Sequence, residues 1–253
     1  MNPYESAELL GLSVLAVAAS YLIGSLPFGY LITRWKKGID IRTVGSGNLG
    51  ATNVGRVLGF RYFLIVLLLD SLKGLLPTAA LPWLVGKLTG GAPADLAVLV
   101  ALAAILGHNF PVYLKFRGGK GVATSLGCVL ALDPASCAVA AIAFAGVLLV
   151  SRYVSLASLV GGLAFAVAHF VRDPEPLARD HVALSLFAIA VVVLLTVRHR
   201  TNLARIWAGT ENRVDLLLRR KPNGPPQPSG RIGLWLLGML LLVVPLVSLG
   251  GVW

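Results

Sequence analysis

Residues 9–32 read LLGLSVLAVAASYLIGSLPFGYLI and contain no charged side chain. A helix needs about 20 mostly apolar residues to cross the hydrocarbon core of a bilayer, so this segment is long enough to span a membrane. Comparable apolar runs follow at residues 57–85, 95–114, 153–170, 182–197 and 232–253. The repetition of such runs predicts an all-α fold, a polytopic bundle of helices integral to a membrane.

The composition of the 253-residue chain supports the same class. Apolar residues make up 57% of the chain, charged residues 13%, and the mean hydropathy is +0.81. An average soluble domain is roughly 25% charged, so the composition excludes a soluble surface. The chain nevertheless carries 22 Lys and Arg against 11 Asp and Glu, a formal net charge of +11. This excess indicates anionic partners, such as phospholipid headgroups, phosphorylated substrates or nucleic acid.

The segment 122–150 decides the number of spans, because Asp133-Pro134 interrupts it and proline breaks helices. One kinked span and two short spans are both compatible with its length. Two short helices place 18 of the 22 basic residues on one side of the membrane. That is the distribution typical of a cytoplasmic side, whereas one kinked helix moves the basic loop 198–231 to the opposite side. We therefore predict eight spans, with both chain termini outside and the basic side cytoplasmic.

The chain is expected to divide into three parts. Residues 1–220 are expected to form a membrane domain of seven spans. The Pro-rich segment 221–230 is expected to be a flexible linker. Residues 231–253 are expected to form an accessory C-terminal transmembrane helix.

Three polar segments on the basic side contain the candidate functional residues. The first, residues 40–53, reads DIRTVGSGNLGATN. Its glycines spell G-x-G-x-x-G, but no strand precedes them and no βαβ unit surrounds them, so a dinucleotide-binding fold is rejected. Glycines still let backbone N–H groups approach an anion closely, and four side chains add donors. These are Arg42, Ser46, Asn48 and Asn53. The alternative is a polar turn that joins two helices.

The second segment, residues 116–124, reads FRGGKGVAT and follows GHNFP at residues 107–111. Gly118, Gly119, Lys120 and Gly121 open the predicted fourth span, and a helix N-terminus is a favourable place for phosphate. The segment is not a Walker A loop, because it lacks that loop's first glycine and has Gly121 in place of Ser or Thr. ATP hydrolysis is therefore unsupported. The alternative is a flexible basic loop.

The third segment, residues 198–211, reads RHRTNLARIWAGTE. If the helix of the preceding span continues through it, His199, Asn202 and Arg205 share one broad face. A functional and a structural histidine are both compatible with this pattern. Within the second predicted span, Asp70 and Lys73 stand three residues apart, where they can form an ion pair of functional or structural importance.

Together these segments resemble the bacterial acyl-phosphate:glycerol-3-phosphate acyltransferase family. The matching positions, in the family's order, are 25–29, 45–53 with Arg42, 70–74, 108–111, 118–121, 152–158, 199–205 and 209–211. The resemblance implies a seven-span enzyme that transfers a fatty acyl group from acyl-phosphate to glycerol 3-phosphate, making lysophosphatidic acid. The chain departs from the family after Glu211, because the linker and the eighth span exceed the usual architecture.

The resemblance also implies roles for individual residues. His199 and Asn202 are the expected catalytic residues, which orient or activate the glycerol hydroxyl. His199 is either a base or an orienting group, since histidine suits both tasks near neutral pH. The expected substrate-binding residues are Arg42, Ser46, Asn48, Asn53, Gly118, Gly119, Lys120, Gly121, Ser155, Ser158 and Arg205. Among them the loop 118–121 is expected to receive acyl-phosphate.

No cofactor and no metal are expected, because acyl-phosphate is already an activated anhydride. The acyltransferase signature of His followed five residues later by Asp is absent at all four histidines. Few aromatic residues lie in the loops, which argues against nucleic acid. The expected partners are the two substrates and membrane lipid, with no obligate protein partner evident. The expected location is the bacterial plasma (inner) membrane, with the active site on the cytoplasmic face.

The competing class is a membrane transporter of an organic phosphate anion. Broken, glycine-rich helices and intramembrane charges occur in transporters too. The polar residues of this chain, however, crowd one side of the membrane instead of its midplane, and no two halves mirror each other. The sequence therefore favours the enzyme.

Overall fold

The computed structural model describes residues 3–214, in which every regular element is helical. The predicted linker at 221–230 and the predicted span at 231–253 lie outside the described residues. The chain divides into two compact units, the first ending at Pro134 and the second beginning at Ala135.

The first unit contains six helices, α1 (Pro3–Gly24), α2 (Phe28–Lys37), α3 (Ala51–Leu58), α4 (Phe60–Thr89), α5 (Leu96–Asn109) and α6 (Val122–Leu132). Short 3-10 turns lie at Ile41–Thr43 and Val112–Leu114. The second unit contains four helices, α7 (Pro134–Ser151), α8 (Val154–Arg172), α9 (Val182–Arg198) and α10 (Arg200–Trp207).

Five helical segments of residues 3–214 are long and apolar enough to cross a membrane. They are Tyr4–Lys37, Phe60–Thr89, Leu96–Leu114, Pro134–Ser151 and Val154–Arg172, and α9 with α10 forms a sixth if the bent pair counts as one span. The predicted all-helical membrane architecture is confirmed. The predicted number of seven spans before the linker stays a prediction, since α6 has only 11 residues.

Several predicted boundaries are tested by the helices. The break at Asp133-Pro134 is confirmed, because α6 ends at Leu132 and α7 begins at Pro134. The first predicted span, residues 9–32, lies within the segment Tyr4–Lys37, which is long and apolar enough to cross a membrane, but its helix is interrupted because α1 ends at Gly24 and α2 begins at Phe28. Proline lacks the N–H that a continuing helix needs, but it is tolerated where a helix starts. The second span begins later than expected, at Phe60, because Gly59 separates it from α3 with a φ of 97°.

Glycines allow the helices of the first unit to approach closely. A Cβ added at Gly127 of α6 would overlap the carbonyl oxygen of Ser71 in α4, and one at Gly74 of α4 would overlap that of Thr124. Small residues at such crossings are typical of helix packing in membranes. They place α4 directly against α6, and α6 carries the second polar segment at its start.

The second unit packs around residues from three helices. Val147 of α7, Tyr153 before α8, Leu156 and Ala157 of α8, and Ile206 of α10 form one buried cluster. Through this cluster α10 is held against α8. This contact positions the third polar segment, residues 198–211, because α10 lies within that segment.

Candidate active site

Asn53 organises the loop between α2 and α3. Its Nδ2 donates to the carbonyl oxygens of Ile41, Val44 and Asn48 at 3.2, 3.0 and 2.9 Å. Its Oδ1 accepts the backbone N–H of Ser46 at 2.8 Å, and the residue is only 1% exposed. These contacts all lie within the loop, so Asn53 shapes the backbone that presents Ser46 and Asn48, which are both half-buried.

Glycine is required at two positions of this loop. Gly45 and Gly47 have φ values of 62° and 70°, in the left-handed region that other residues adopt at a cost. A Cβ at Gly45 would also overlap Oδ1 of Asn53. The loop is therefore a specific, internally bonded structure instead of a simple polar turn.

Arg42 is held in one orientation by Asp40. Its Nε lies 3.0 Å from both carboxylate oxygens, and its Nη2 lies 2.6 Å from Oδ2. The hydrogen bond from Arg42 lowers the pKa of Asp40 below its usual value, and the same bond raises the pKa of Arg42. The Arg42 side chain remains 33% exposed, so a fixed guanidinium is presented at the surface of the first unit.

The glycine loop at 118–121 lies against the end of α5. The Gly119 N–H donates to the carbonyl oxygen of His108 at 3.1 Å. A Cβ at Gly118 would overlap that same oxygen, and a Cβ at Gly119 would overlap Nε2 of His108. At Gly121, whose φ is 83°, a Cβ would lie 2.8 Å from Oδ1 of Asn109. Lack of space therefore requires glycine at all three positions, and at Gly121 the backbone conformation requires it as well.

The loop leads directly into a helix, as the sequence predicts. Gly121 occupies the N-cap position of α6, which begins at Val122. Lys120 is half-buried between two buried glycines. A cationic side chain and a helix N-terminus therefore lie together, which is a favourable setting for a phosphate group.

The predicted ion pair between Asp70 and Lys73 is confirmed. Their charged atoms are 2.9 Å apart, and the two residues are 2% and 4% exposed. Lys73 also donates to the carbonyl oxygen of Leu26 at 2.8 Å, in the break between α1 and α2. Nδ1 of His108 lies 3.8 Å from Oδ1 of Asp70. The pair therefore connects α4 with the start of α2 and with the end of α5.

An apolar cleft of about 390 Å³ adjoins this ion pair. Its walls are mostly aliphatic side chains of α1 and α4, with Phe28 of α2 and Lys73 at the margin. The volume and lining suit a hydrocarbon chain.

In the second unit, three predicted site residues meet on one carboxylate that the sequence analysis left without a role. Glu211 accepts hydrogen bonds from Ser155 Oγ at 2.9 Å, Asn202 Nδ2 at 2.5 Å and Arg205 Nε at 2.7 Å. Ser158 instead donates to the carbonyl oxygen of Val154 in its own helix at 2.7 Å. The structure thus brings Ser155, Asn202 and Arg205 together around Glu211.

The protonation of Glu211 follows from these bonds. Burial alone would raise the pKa of its carboxyl, but the hydrogen bonds from Asn202, Arg205 and Ser155 lower the pKa below its usual 4.5. The group is therefore a carboxylate at neutral pH. One sequence signal points to it, because Glu211 is the single acidic residue between Asp180 and Asp215.

His199 lies at a break and not within a continuous helix. The condition for a face shared by His199, Asn202 and Arg205, a helix that continues through the third segment, is not met. Helix α9 ends at Arg198, α10 begins at Arg200, and the two are bent by 56°. Nδ1 of His199 lies 2.8 Å from the carbonyl oxygen of Leu195, and the residue is 3% exposed. Because a carbonyl oxygen only accepts, Nδ1 carries a proton, and whenever the ring is neutral Nε2 is an acceptor.

The His, Cys, Asp and Glu side chains of residues 3–214 do not gather into a metal site. No group of three or more His, Cys, Asp or Glu side chains in this part of the chain is arranged to hold a metal ion.

Comparison with known sequences places these features in context. The family model described as glycerol-3-phosphate acyltransferase matches residues 14–209. A glycerol-3-phosphate acyltransferase of Myxococcus xanthus is 46% identical over 197 residues, which is 78% of this chain and 97% of the relative. One from Synechococcus elongatus is 45% identical over 206 residues, covering 80% of this chain and 95% of the relative.

Two solved structures are similar as well. Both are crystal structures of PlsY (YgiH), an integral membrane glycerol 3-phosphate acyltransferase. The glycerol 3-phosphate form has a TM-score of 0.71 at 39% identity, and the lysophosphatidic acid form has 0.69 at 38%. Each covers 81% of this chain and 96% of the solved chain.

Proposed function

This chain belongs to the glycerol-3-phosphate acyltransferase family, and we propose that it transfers a fatty acyl group from acyl-phosphate to glycerol 3-phosphate. The products are lysophosphatidic acid and inorganic phosphate, the first acylation of phospholipid synthesis. The observation that carries the proposal is the glycine loop at 118–121, which joins Lys120 to the N-terminus of α6 beside membrane-embedded helices.

The reaction needs alignment and charge compensation. The glycerol hydroxyl oxygen forms a bond with the acyl carbon, the bond from that carbon to the phosphate oxygen breaks, and phosphate leaves with its electron pair. Acyl-phosphate is an activated anhydride, so the enzyme has to provide proximity and compensate the negative charge that develops. No cofactor enters this scheme.

Cations and N–H groups of the first unit are assigned to the phosphates. Lys120 and the loop 118–121 receive acyl-phosphate. Arg42, with its orientation fixed by Asp40, and Ser46 hold phosphate oxygens. Asn53 acts by shaping the loop, which also carries Asn48.

His199 and Asn202 of the second unit are assigned to the glycerol hydroxyl. With its Nδ1–H bonded to Leu195, His199 can accept a proton or a hydrogen bond at Nε2. The hydroxyl proton passes either to this atom or to the departing phosphate. Glu211 aligns Ser155, Asn202 and Arg205. Arg205 supplies further donors from its terminal guanidinium nitrogens. The hydroxyl oxygens of Ser155 and Ser158 supply acceptors, because their protons are donated to Glu211 and to the Val154 carbonyl.

The surroundings fit a lipid-synthesising enzyme. The apolar cleft beside Lys73 suits an acyl chain that enters from the bilayer. The basic loops favour a cytoplasmic location of the site in the bacterial inner membrane. No obligate protein partner is part of the proposal.

Purified protein in detergent or lipid tests the proposal. With acyl-phosphate and glycerol 3-phosphate, it should release equal amounts of lysophosphatidic acid and phosphate in the presence of a metal chelator. His199→Ala should lose most activity, because the glycerol hydroxyl loses the Nε2 atom that accepts its proton or its hydrogen bond. His181→Ala, which changes a histidine with a 48% exposed side chain, is the matched control and should retain activity.

Three results would contradict the proposal. Equal turnover with acyl-CoA would show that the donor is wrong. Full turnover by His199→Ala would show that the histidine assignment is wrong. Uptake of glycerol 3-phosphate into proteoliposomes without acylation would support the organic phosphate transporter instead.

A further inference from the structure

The imidazole of His108 lies directly against the phosphate-binding loop. Its own carbonyl oxygen accepts the Gly119 N–H, and its Nε2 fills the space where a Cβ of residue 119 would be. His108 is 7% exposed and is the penultimate residue of α5. A shift of this ring would therefore change the position of the loop backbone.

The opposite edge of the same ring faces the intramembrane ion pair. Nδ1 of His108 is 3.8 Å from Oδ1 of Asp70, and Asp70 is paired with Lys73 at 2.9 Å. Lys73 is in turn bonded to the Leu26 carbonyl. Buried charges among membrane helices are costly, so each is held by a partner and has little freedom to move. The imidazole thus lies between a rigid ion pair and the loop.

We propose that His108 is a positioning residue, which transmits the fixed geometry of the Asp70–Lys73 pair to Gly119 and so sets the conformation of the loop 118–121 that binds phosphate. The proposal rests on the proposed function, in which this loop receives acyl-phosphate. It gives the intramembrane ion pair a role in substrate binding without contact between the pair and substrate.

Steady-state kinetics separate positioning from a general structural role. His108→Gln and the charge-neutral double variant Asp70→Asn/Lys73→Met should raise KM for acyl-phosphate by about ten- to a hundredfold, the cost expected for a misplaced binding group. The KM for glycerol 3-phosphate should change little. The matched control is Thr78→Val, an isosteric change of a buried α4 residue whose hydroxyl bonds to Gly74, and its KM values should equal those of the wild type.

A double-variant cycle tests the contact itself. Gly119→Ala should raise the same KM, because the new methyl group displaces the imidazole. Adding His108→Ala should restore part of the loss, since it creates room for that methyl group. Gly118→Ala is the matched control, because its methyl group meets the carbonyl oxygens of residues 108 and 109 and the ring of Pro111, none of which His108→Ala removes.

Hydrogen exchange of residues 115–124 provides a readout that does not depend on the acyl donor. His108→Gln and the ion-pair variant should make this segment exchange about tenfold faster, while Thr78→Val leaves it unchanged. Unchanged exchange together with unchanged KM in folded His108→Gln would overturn the inference. If His108→Gln and the ion-pair variant raise KM for acyl-phosphate additively when they are combined, the proposed link between His108 and the ion pair is overturned.

The results also distinguish this inference from the proposed function. If wild-type protein rejects acyl-phosphate, the proposed function fails, and the exchange experiment still tests the positioning role. If KM for glycerol 3-phosphate rises instead of that for acyl-phosphate, the positioning role stands, and the assignment of acyl-phosphate to the loop is wrong.

Discussion

Removal of the Glu211 carboxylate should destabilise the second unit. Its side chain is 5% exposed and accepts bonds from Ser155 and Asn202, which are 4% and 6% exposed. A hydrogen bond to a charged group contributes about 1.5–3 kcal/mol, so these two bonds together contribute about 3–6 kcal/mol. The Arg205 side chain is 35% exposed, so solvent screens its ion pair and the gain is about 1 kcal/mol at most. Because bonds to one carboxylate are not additive, we expect Glu211→Ala to cost about 3–5 kcal/mol.

Thermal unfolding in detergent micelles measures this cost. For chains of this size about 1 kcal/mol shifts the melting temperature by roughly 2–4 °C, so Glu211→Ala should melt about 6–20 °C lower. Glu211→Gln keeps one acceptor oxygen, but its new NH2 group faces one of the donors that the carboxylate accepted. This variant should therefore melt about 3–12 °C lower than the wild type. Turnover should fall in both variants, because Asn202 loses its alignment. The control, Glu175→Gln, changes an exposed acid and should shift melting by no more than about 2 °C.

The pH dependence provides an independent check. Because hydrogen bonds hold the pKa of Glu211 in the folded protein below the usual 4.5, its stabilisation is complete above pH 4.5. It is lost as the pH falls through the folded pKa. The difference in melting temperature between wild type and Glu211→Gln should therefore be constant near neutral pH and narrow in acid. Equal melting of the two proteins at neutral pH, or a gap that does not narrow in acid, would refute this account of the carboxylate.

Three further predictions concern the first unit. Asn53→Ala removes four hydrogen bonds from its loop and should cost about 2 kcal/mol or more together with most turnover, as checked by melting and by phosphate release. Asp40→Asn releases the Arg42 guanidinium and should raise KM for a phosphorylated substrate by about three- to tenfold. The melting temperature should not change, since ion pairs near the surface add little stability. An unchanged KM would argue against a phosphate role for Arg42. Gly127→Val forces side-chain atoms against the Ser71 carbonyl and should cost about 3 kcal/mol or prevent folding, as seen by size-exclusion chromatography, whereas normal melting would contradict the close crossing of α4 and α6.

Features that depend on local chemistry could be predicted from the sequence. Proline explains the boundary between α6 and α7, and the spacing of three residues explains the pairing of Asp70 with Lys73. The start of α6 after Gly121 follows from the end of the glycine-rich run. In each case the cause lies within a few residues of its effect.

Features that depend on tertiary packing could not be predicted. Glu211 bonds to Ser155 across 56 residues of sequence, and a pattern of local spacing contains no information about such a contact. The bend of 56° at His199 likewise accompanies packing of α10 against α8, and residues of these two helices lie far apart in the sequence. The bonds of the Asn53 amide to its own loop could not be predicted either, because they depend on how the loop backbone folds around the side chain.

The way α5 fills the space around the glycines at 118, 119 and 121 has a thermodynamic consequence. Glycine-rich loops are commonly regarded as pliable, and fixing the backbone of one residue costs about 1–2 kcal/mol. Here that ordering occurs when the protein folds, since the carbonyl and ring of His108 and the amide of Asn109 already surround the loop. A phosphate that binds to the four residues 118–121 would avoid an entropic cost of about 4–8 kcal/mol. Preorganisation of this kind lets an enzyme hold a small, strongly hydrated anion at the membrane surface without first having to order its binding site.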